Sequence, residues 1–173
     1  MNRLKKRKKA RFTIKKLVFS LLALFILIFI GLVEWYRVIQ APYWKEQLAA
    51  EKIAYAQTTL SSIDTAERFV GDAPYFIFFG KNKEQQPVIV WVENEIAVMR
   101  LQADGLSFAQ IKQLTLQAHS SAHIMRIVPG VMNDTLVWEV LYQVNENGRM
   151  LSKYDYYSFH DGILLDTYTI SHS

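Results

Sequence analysis

The sequence predicts an α+β protein: one N-terminal apolar helix, then two small units, each a helix laid across an antiparallel sheet. Three observations carry this. The first is a run of 17 residues without a charge, LVFSLLALFILIFIGLV from Leu17 to Val33. The second is the order of helix formers followed by aromatic and β-branched runs, which occurs twice. The third is that the connections between those runs are too short for a crossover helix, so neighbouring strands run antiparallel.

The apolar run comes first. As a helix it spans roughly 26 Å at about 1.5 Å per residue, and one flanking turn completes a crossing of a hydrocarbon core about 30 Å thick. Trp35 and Tyr36 stand where interfacial aromatics belong, and Lys15 and Lys16 can snorkel at the other end. Nine of the 20 basic residues precede Leu17, with no acidic residue among them; the rest of the chain holds 11 basic and all 16 acidic residues, a net of −5. The basic tail therefore predicts an anchor with its N-terminus in the cytoplasm and everything after Tyr36 outside it. Anionic lipid is the expected contact of that tail, and nucleic acid is not. A cleaved signal peptide would have a shorter apolar region and a small-x-small site, which Glu34-Trp35-Tyr36-Arg37 does not provide. The anchor run holds only Ser20, Ala23 and Gly31 as small residues, too few for a small-xxx-small helix contact. The chain has no cysteine, so disulfides, thiol catalysis and cysteine metal sites are excluded.

Pro42 suits the first turn of a new helix, expected over about Tyr43 to Leu60. Ala49, Ile53, Ala56 and Leu60 recur there at helical spacing, with Trp44 and Leu48 nearby. Strands are expected at Ala66–Val70, Tyr75–Phe79, Val88–Val92 and Ile96–Leu101, with turn residues Gly80, Asn82 and Pro87 between the middle two. Asp104-Gly105 breaks the pattern. Ser107 then begins a second helix as its N-cap, with Gln110 completing a capping box and Leu106 and Ile111 placed as a hydrophobic staple. Phe108, Ile111, Leu114 and Ala118 form its apolar stripe. Four more strands follow: Ala122–Val128, Thr135–Val144, Met150–Phe159 and Ile163–Ile170. Pro129-Gly130, Asn147-Gly148 and Asp161-Gly162 are read as the turns between them. In the second of these strands the Trp138 face is the more apolar and should cover the helix. The chain thus divides into a basic tail (1–16), an anchor (17–36), a first helix-plus-sheet unit (37–103) and a second (104–173). Units this small need mutual support, either by packing on each other or through a stiff linker.

Candidate chemistry is sparse. His119 and His123 stand four apart, a spacing that places two ligands on one helical face, but H-S-S-A-H lacks the glutamate of a zinc protease helix and falls where the helix should end. His160 and His172 are distant in sequence. Glu93 and Glu95 could share a strand face for acid/base work, though Asn94 between them reads better as a turn. Glu139 points away from the Trp138 face, toward solvent or a cross-strand base. No Gly-rich phosphate loop and no G-x-S-x-G elbow occur. No catalytic, cofactor-binding or metal residue is therefore expected, no small-molecule substrate is expected, and no partner-binding position is assigned. Tyr154, Tyr156, Tyr157, Phe159 and Tyr168 are dense enough to be core and cross-strand packing; exposed together they would form a partner patch.

The second half, a capped helix followed by AHIMRIVPGVMNDTLVWEVLYQVNENGRMLSKYDYYSFHDGILLDTYTI, resembles a PepSY-type domain. The features are a short strand ending near Val128, the Trp138-Glu139-Val140 strand after a turn, and the terminal Asp161-Gly162-Ile163-Leu164 hairpin. With its basic tail, single span and preceding helix-sheet unit, the chain from the tail to Ile170 resembles the TseB-like (YpmB-like) proteins of Gram-positive bacteria. The order of features carries this resemblance, and no single motif does. It implies two cystatin-like domains outside a single-span anchor. It further implies a non-enzymatic role in cell-wall elongation through a class B penicillin-binding protein, the elongation transpeptidase. The alternative that the PepSY likeness implies is inhibition of an exported peptidase. A module acting directly on wall polymer would need a deep pocket with convergent polar groups, for which the sequence offers no constellation.

Overall fold

The computed structural model describes residues 2–146 and 148–170, with side chains from Phe19 onward except that of Gln40. Two compact parts divide it, Met1–Glu46 and Gln47–Ser173. The first part is helical throughout, the N-terminal portion of helix α1, Asn2–Gln57. Within it Phe19–Ile39 is long and apolar enough to cross a membrane. Pro42 lies inside this helix and does not begin a new one. Proline forfeits a single backbone donor, and the helix formers on both sides carry the ladder past it. Glu34 and Arg37, one turn apart, pair at 3.3 Å on the exposed surface.

The second part holds the end of α1, strand β1 (Leu60–Val70), β2 (Pro74–Asn82), β3 (Pro87–Glu93), β4 (Ile96–Leu101), a 3-10 turn (Gln102–Asp104), helix α2 (Phe108–Ala118), then β5 (His123–Met132), β6 (Thr135–Glu146), β7 (Arg149–Ser158) and β8 (Leu164–Ile170). The strands form two antiparallel meanders, β1-β2-β3-β4 and β5-β6-β7-β8. This is the α+β class with an apolar N-terminal helix that the sequence predicts.

Strand β3 shows how the two sheets share the molecule. All five residues from Val88 to Val92 are buried. Val88, Val90 and Val92 face Ala50, Ala54 and Leu60, while Ile89 and Trp91 belong to a second cluster with Ile111, Trp138 and Phe159. A strand covered on both faces reads as a continuous apolar run, and PVIVWV does. The helix side rests on Ala50 and Ala54 with Ile53 and Leu60; of the expected stripe Ile53 and Leu60 join the cluster, whereas Ala49 and Ala56 are exposed. Small residues at that i,i+4 pair let the helix approach the sheet closely. The second cluster runs through both sheets: the Phe159 ring meets Trp91 edge-on at 5.4 Å and stacks on Trp138 at 6.1 Å. Of the two arrangements left open by the sequence, the sheets pack on each other.

Helix α2 starts as predicted. The Ser107 hydroxyl accepts from the Gln110 N–H, and the Gln110 side chain accepts from the Ser107 N–H at 2.8 Å, a box typically worth about 1 kcal/mol. Leu106 and Ile111 join the same cluster. The stripe differs from expectation: Ile111 and Thr115 are buried, whereas Phe108 and Ala118 are exposed. Thr115 is tolerated inside because its hydroxyl donates to the Ile111 carbonyl at 3.0 Å. Trp138 covers the helix as expected, its indole N–H donating to the Leu106 carbonyl at 3.1 Å.

Two boundary readings are corrected. Strand β1 begins at Leu60, not Ala66, because its first half is polar and irregular, with register shifts after Leu60 and Ile63. Pro129-Gly130 is not a turn: Pro129 pairs with Trp138 and Gly130 with Val137 inside β5. Strand β5 is a sheet edge, where proline's missing donor costs nothing. A Cβ on Gly130 would stand 2.5 Å from the buried Phe69 ring. The turn lies instead at Asn133-Asp134, both with positive φ. At the other two turns Gly148 (φ +80) and Gly162 (φ +70) take the left-handed backbone; Asn147 lies outside the described residues.

Candidate functional site

The predicted polar pairs separate. His119 is the C-cap of α2 and His123 opens β5; His172 lies outside the described residues. Among the described residues no three His, Asp or Glu side chains are grouped to hold a metal. Glu93 ends β3 and Glu95 sits in the next turn, around Asn94 with φ +51. The Glu93 carboxylate accepts from Tyr75 at 2.7 Å. Burial first, and that carboxylate second, push the Tyr75 hydroxyl up to about 12.

A carboxylate that sequence reasoning passed over is the most deeply buried one. Asp155 is fully buried on the α2 face of the second sheet. It accepts from Tyr142 at 3.2 Å, Tyr157 at 3.1 Å and Thr167 at 2.8 Å, with His119 Nε2 at 3.3 Å. His119 also stacks on Tyr142 at 4.9 Å. A buried carboxyl group is stable only when its oxygens are met, and here three hydroxyl donors meet them, with the His119 ring beside them. Burial is the first cause that raises the Tyr142 and Tyr157 hydroxyls, the latter to about 12.

The opposite face of the second sheet is the distinctive surface. The predicted aromatic group divides by strand parity. Tyr157 and Phe159 turn inward to the core. Tyr154 and Tyr156 turn outward, stacked at 6.5 Å, and Tyr156 meets Tyr168 edge-on at 5.7 Å. Tyr168 is 53% exposed. Under this ladder lies Glu139, which does point away from Trp138 but is buried, not solvated. The Tyr156 hydroxyl donates to it at 2.9 Å. Burial raises the Glu139 pKa, against the Tyr156 bond and the Arg126 charge, which lower it. Tyr154 and Tyr156 are half-buried, Tyr156 also packing against the core cluster, and with exposed Tyr168 they form an aromatic, hydroxyl-bearing row, a composition enriched in interface centres.

Two clefts flank the seam between the sheets. One, of about 360 Å³, is bounded by Tyr75, Trp91, Glu93, Arg100, Asp134 and Leu136 among others. The other, of about 370 Å³, is bounded mainly by Phe79, Ile89, Leu106, Phe108 and Trp138. The Trp91 indole N–H is buried without a hydrogen-bond partner among the described residues. The first cleft brings together the polar groups of Tyr75, Glu93, Arg100 and Asp134, whereas the second is mainly apolar.

Comparison with known proteins agrees with this picture. Residues 49–93 match the model of the cell wall elongation regulator TseB-like domain. No curated relative matches the sequence. Among solved structures the YpmB protein from Bacillus subtilis superposes with a TM-score of 0.63 at 24% identity, covering 70% of this chain and 95% of that one. The matched domain supports a role in regulating cell-wall elongation, and the superposition shows a YpmB-like fold. The family-model match covers 45 of the chain's 173 residues, and the likeness over the rest of the chain is one of fold.

Proposed function

We propose that this protein is a single-pass membrane adaptor without catalytic activity, its N-terminus cytoplasmic and its two sheets extracytoplasmic. There it docks a class B penicillin-binding protein during wall elongation. The observation that carries the docking reading is the outward tyrosine row Tyr154, Tyr156 and Tyr168. Tyrosines anchored on a strand lose little side-chain entropy on binding and present both an apolar ring and a hydroxyl. The apolar stretch Phe19–Ile39 and the tail's positive charge support the anchor and its orientation. Confinement to the membrane surface raises the effective concentration of such a module toward other membrane-bound proteins.

The test is purification of the tagged full-length chain from crosslinked membranes, beside a variant carrying Tyr154→Ser and Tyr168→Ser. Recovery of the transpeptidase with the parent, and its loss with the variant at equal expression, supports the reading. Equal recovery with both removes the tyrosine row from it, and recovery of no wall synthase with either ends it. A protease-cleavable tag after Ser173 reports orientation: it should be cut by external protease in intact wall-stripped cells.

A further inference from the structure

The first cleft beside the seam has two chemically different ends. Antiparallel pairing sets Glu93 beside Ile96, Trp91 beside Val98 and Ile89 beside Arg100. Directly paired residues share a face of the sheet, so these side chains all stand on the face that carries Trp91. Strand β4 is an edge and stays open there: Ile96 is 67% exposed and Val98 38%. The opposing wall is the β5–β6 hairpin, where Val131 pairs with Leu136 and Asp134 occupies the turn. Trp91 lies between the walls, with the Phe159 ring edge-on to it.

Charge divides along this cleft. At one end the Glu93 carboxylate accepts from Tyr75, and Asp134 adds to the negative potential at the same hydroxyl. At the other end is Arg100, four residues along β4 from Ile96, a separation of about 13 Å at roughly 3.3 Å per residue. Arg100 spends one donor on the Met99 carbonyl. Among the described residues no carboxylate lies within ion-pair distance of it, and no lysine or arginine within that distance of Glu93 or Asp134.

We propose that this cleft binds a short extended peptide of about three or four residues, its free amine at the Glu93 and Asp134 end and its free carboxylate at Arg100. An ammonium group gains two carboxylates and the Tyr75 ring at the acidic end. A carboxylate gains the fork of the guanidinium at the basic end. Small side chains between the two ends lie against Ile96, Val98 and Leu136, which are apolar. The cleft volume of about 360 Å³ falls within the range of small-ligand sites, roughly 300–1,000 Å³. A single amino acid is too short to reach both ends. A longer chain passing through sets a neutral amide against one of the charges. The site lies on the first sheet, apart from the tyrosine row of the second, and rests neither on the docking reading nor on the anchor.

The test is calorimetric titration of the full-length chain in detergent with trialanine and tetraalanine. One or both should bind saturably, and alanine alone should not. Acetylating the peptide amine, or amidating its carboxylate, should each weaken binding about tenfold, the effect of one charge-assisted hydrogen bond. These blocked peptides probe both ends on the parent chain, so the result does not depend on any variant folding. Variants then assign the ends. Arg100→Gln should bind the acid and the amide alike. Glu93→Gln combined with Asp134→Asn should bind the free and the acetylated amine alike; glutamine keeps an acceptor for Tyr75, and asparagine tolerates the positive φ of position 134. In nuclear magnetic resonance the Trp91 indole signal should move on titration. That of Trp138, bonded to the Leu106 carbonyl and not part of this cleft, should stay. No saturable binding at millimolar peptide overturns the proposal. So does equal binding of a blocked peptide, which would make the occupant the terminus of a longer chain. An acid-to-amide difference that persists in folded Arg100→Gln, or a Trp91 signal unmoved at saturation, overturns it as well.

Discussion

His119 Nε2 lies 3.3 Å from the buried carboxyl group of Asp155, so the C-cap of α2 stands against the middle of β7. Asp155→Ala would strand the hydroxyls of Tyr142, Tyr157 and Thr167 as well as the imidazole. We expect a loss of about 3–5 kcal/mol, the usual cost of breaking a buried charged network. Asp155→Asn keeps one acceptor oxygen and should lose roughly half as much. Denaturant unfolding of the full-length chain in detergent measures both. Two variants as stable as the parent would show that the network contributes nothing.

Glu139 gives a pH-dependent prediction. Burial raises its carboxyl above the ordinary value of 4.5, so the folded state holds that proton more tightly than the unfolded chain. Its contribution is fully present below the unfolded pKa and is lost as pH rises through the folded one. Glu139→Gln removes this titration while keeping an oxygen for Tyr156. The variant should match the parent in acid and gain on it toward neutral pH, as read from unfolding midpoints at the two conditions. A variant least stable at neutral pH would mean that the charged carboxylate is favourable there.

Gly130 and Phe69 couple the two sheets. Gly130→Ala places a methyl group within 2.5 Å of a ring that is itself fully buried. Overpacking of this kind costs about 1–3 kcal/mol. Phe69→Leu, destabilising by itself, should recover part of the loss in the Gly130→Ala background. A double-mutant cycle in thermal unfolding checks this, and strict additivity would show that the two do not touch.

The tyrosines should resist alkali. The Tyr75 and Tyr157 hydroxyls are pushed up to about 12, and Tyr142 and Tyr156 are raised as well, burial being the first cause in each. Stability from a raised hydroxyl is complete below its unfolded value near 10 and lost as pH rises through the folded one. Tyrosinate absorbance should therefore show Tyr75, Tyr142, Tyr156 and Tyr157 ionising only together with unfolding. A single smooth titration near 10 would contradict it.

What the sequence discloses tracks how local the cause is. The Ser107-Gln110 box and the Val88–Val92 run are legible because a few adjacent residues determine them. On α1 the larger residues Ile53 and Leu60 are legible as core, but the Ala50 and Ala54 contact is not, since alanines on several sides of the helix give no amphipathic contrast. Pro129-Gly130 looked like a turn because its exemption depends on β5 being an edge, a tertiary fact. The same holds for the surface row: alternation could say that Tyr154 and Tyr157 face opposite ways, but not which face α2 would cover. Asp155 left no signal at all, because Tyr142, Thr167 and His119 reach it from separate elements.

Phe159 has a consequence for modularity. Its ring touches a tryptophan from each sheet, so neither half possesses a complete interior by itself. Cutting the chain between α2 and the first sheet would bare Trp91 on one fragment and Trp138 on the other. The repeated helix-and-sheet pattern therefore does not mark interchangeable parts. A gene fusion or truncation that carries one half without its fellow would deliver an adhesive, incompletely folded piece, and the pair travels together or not at all.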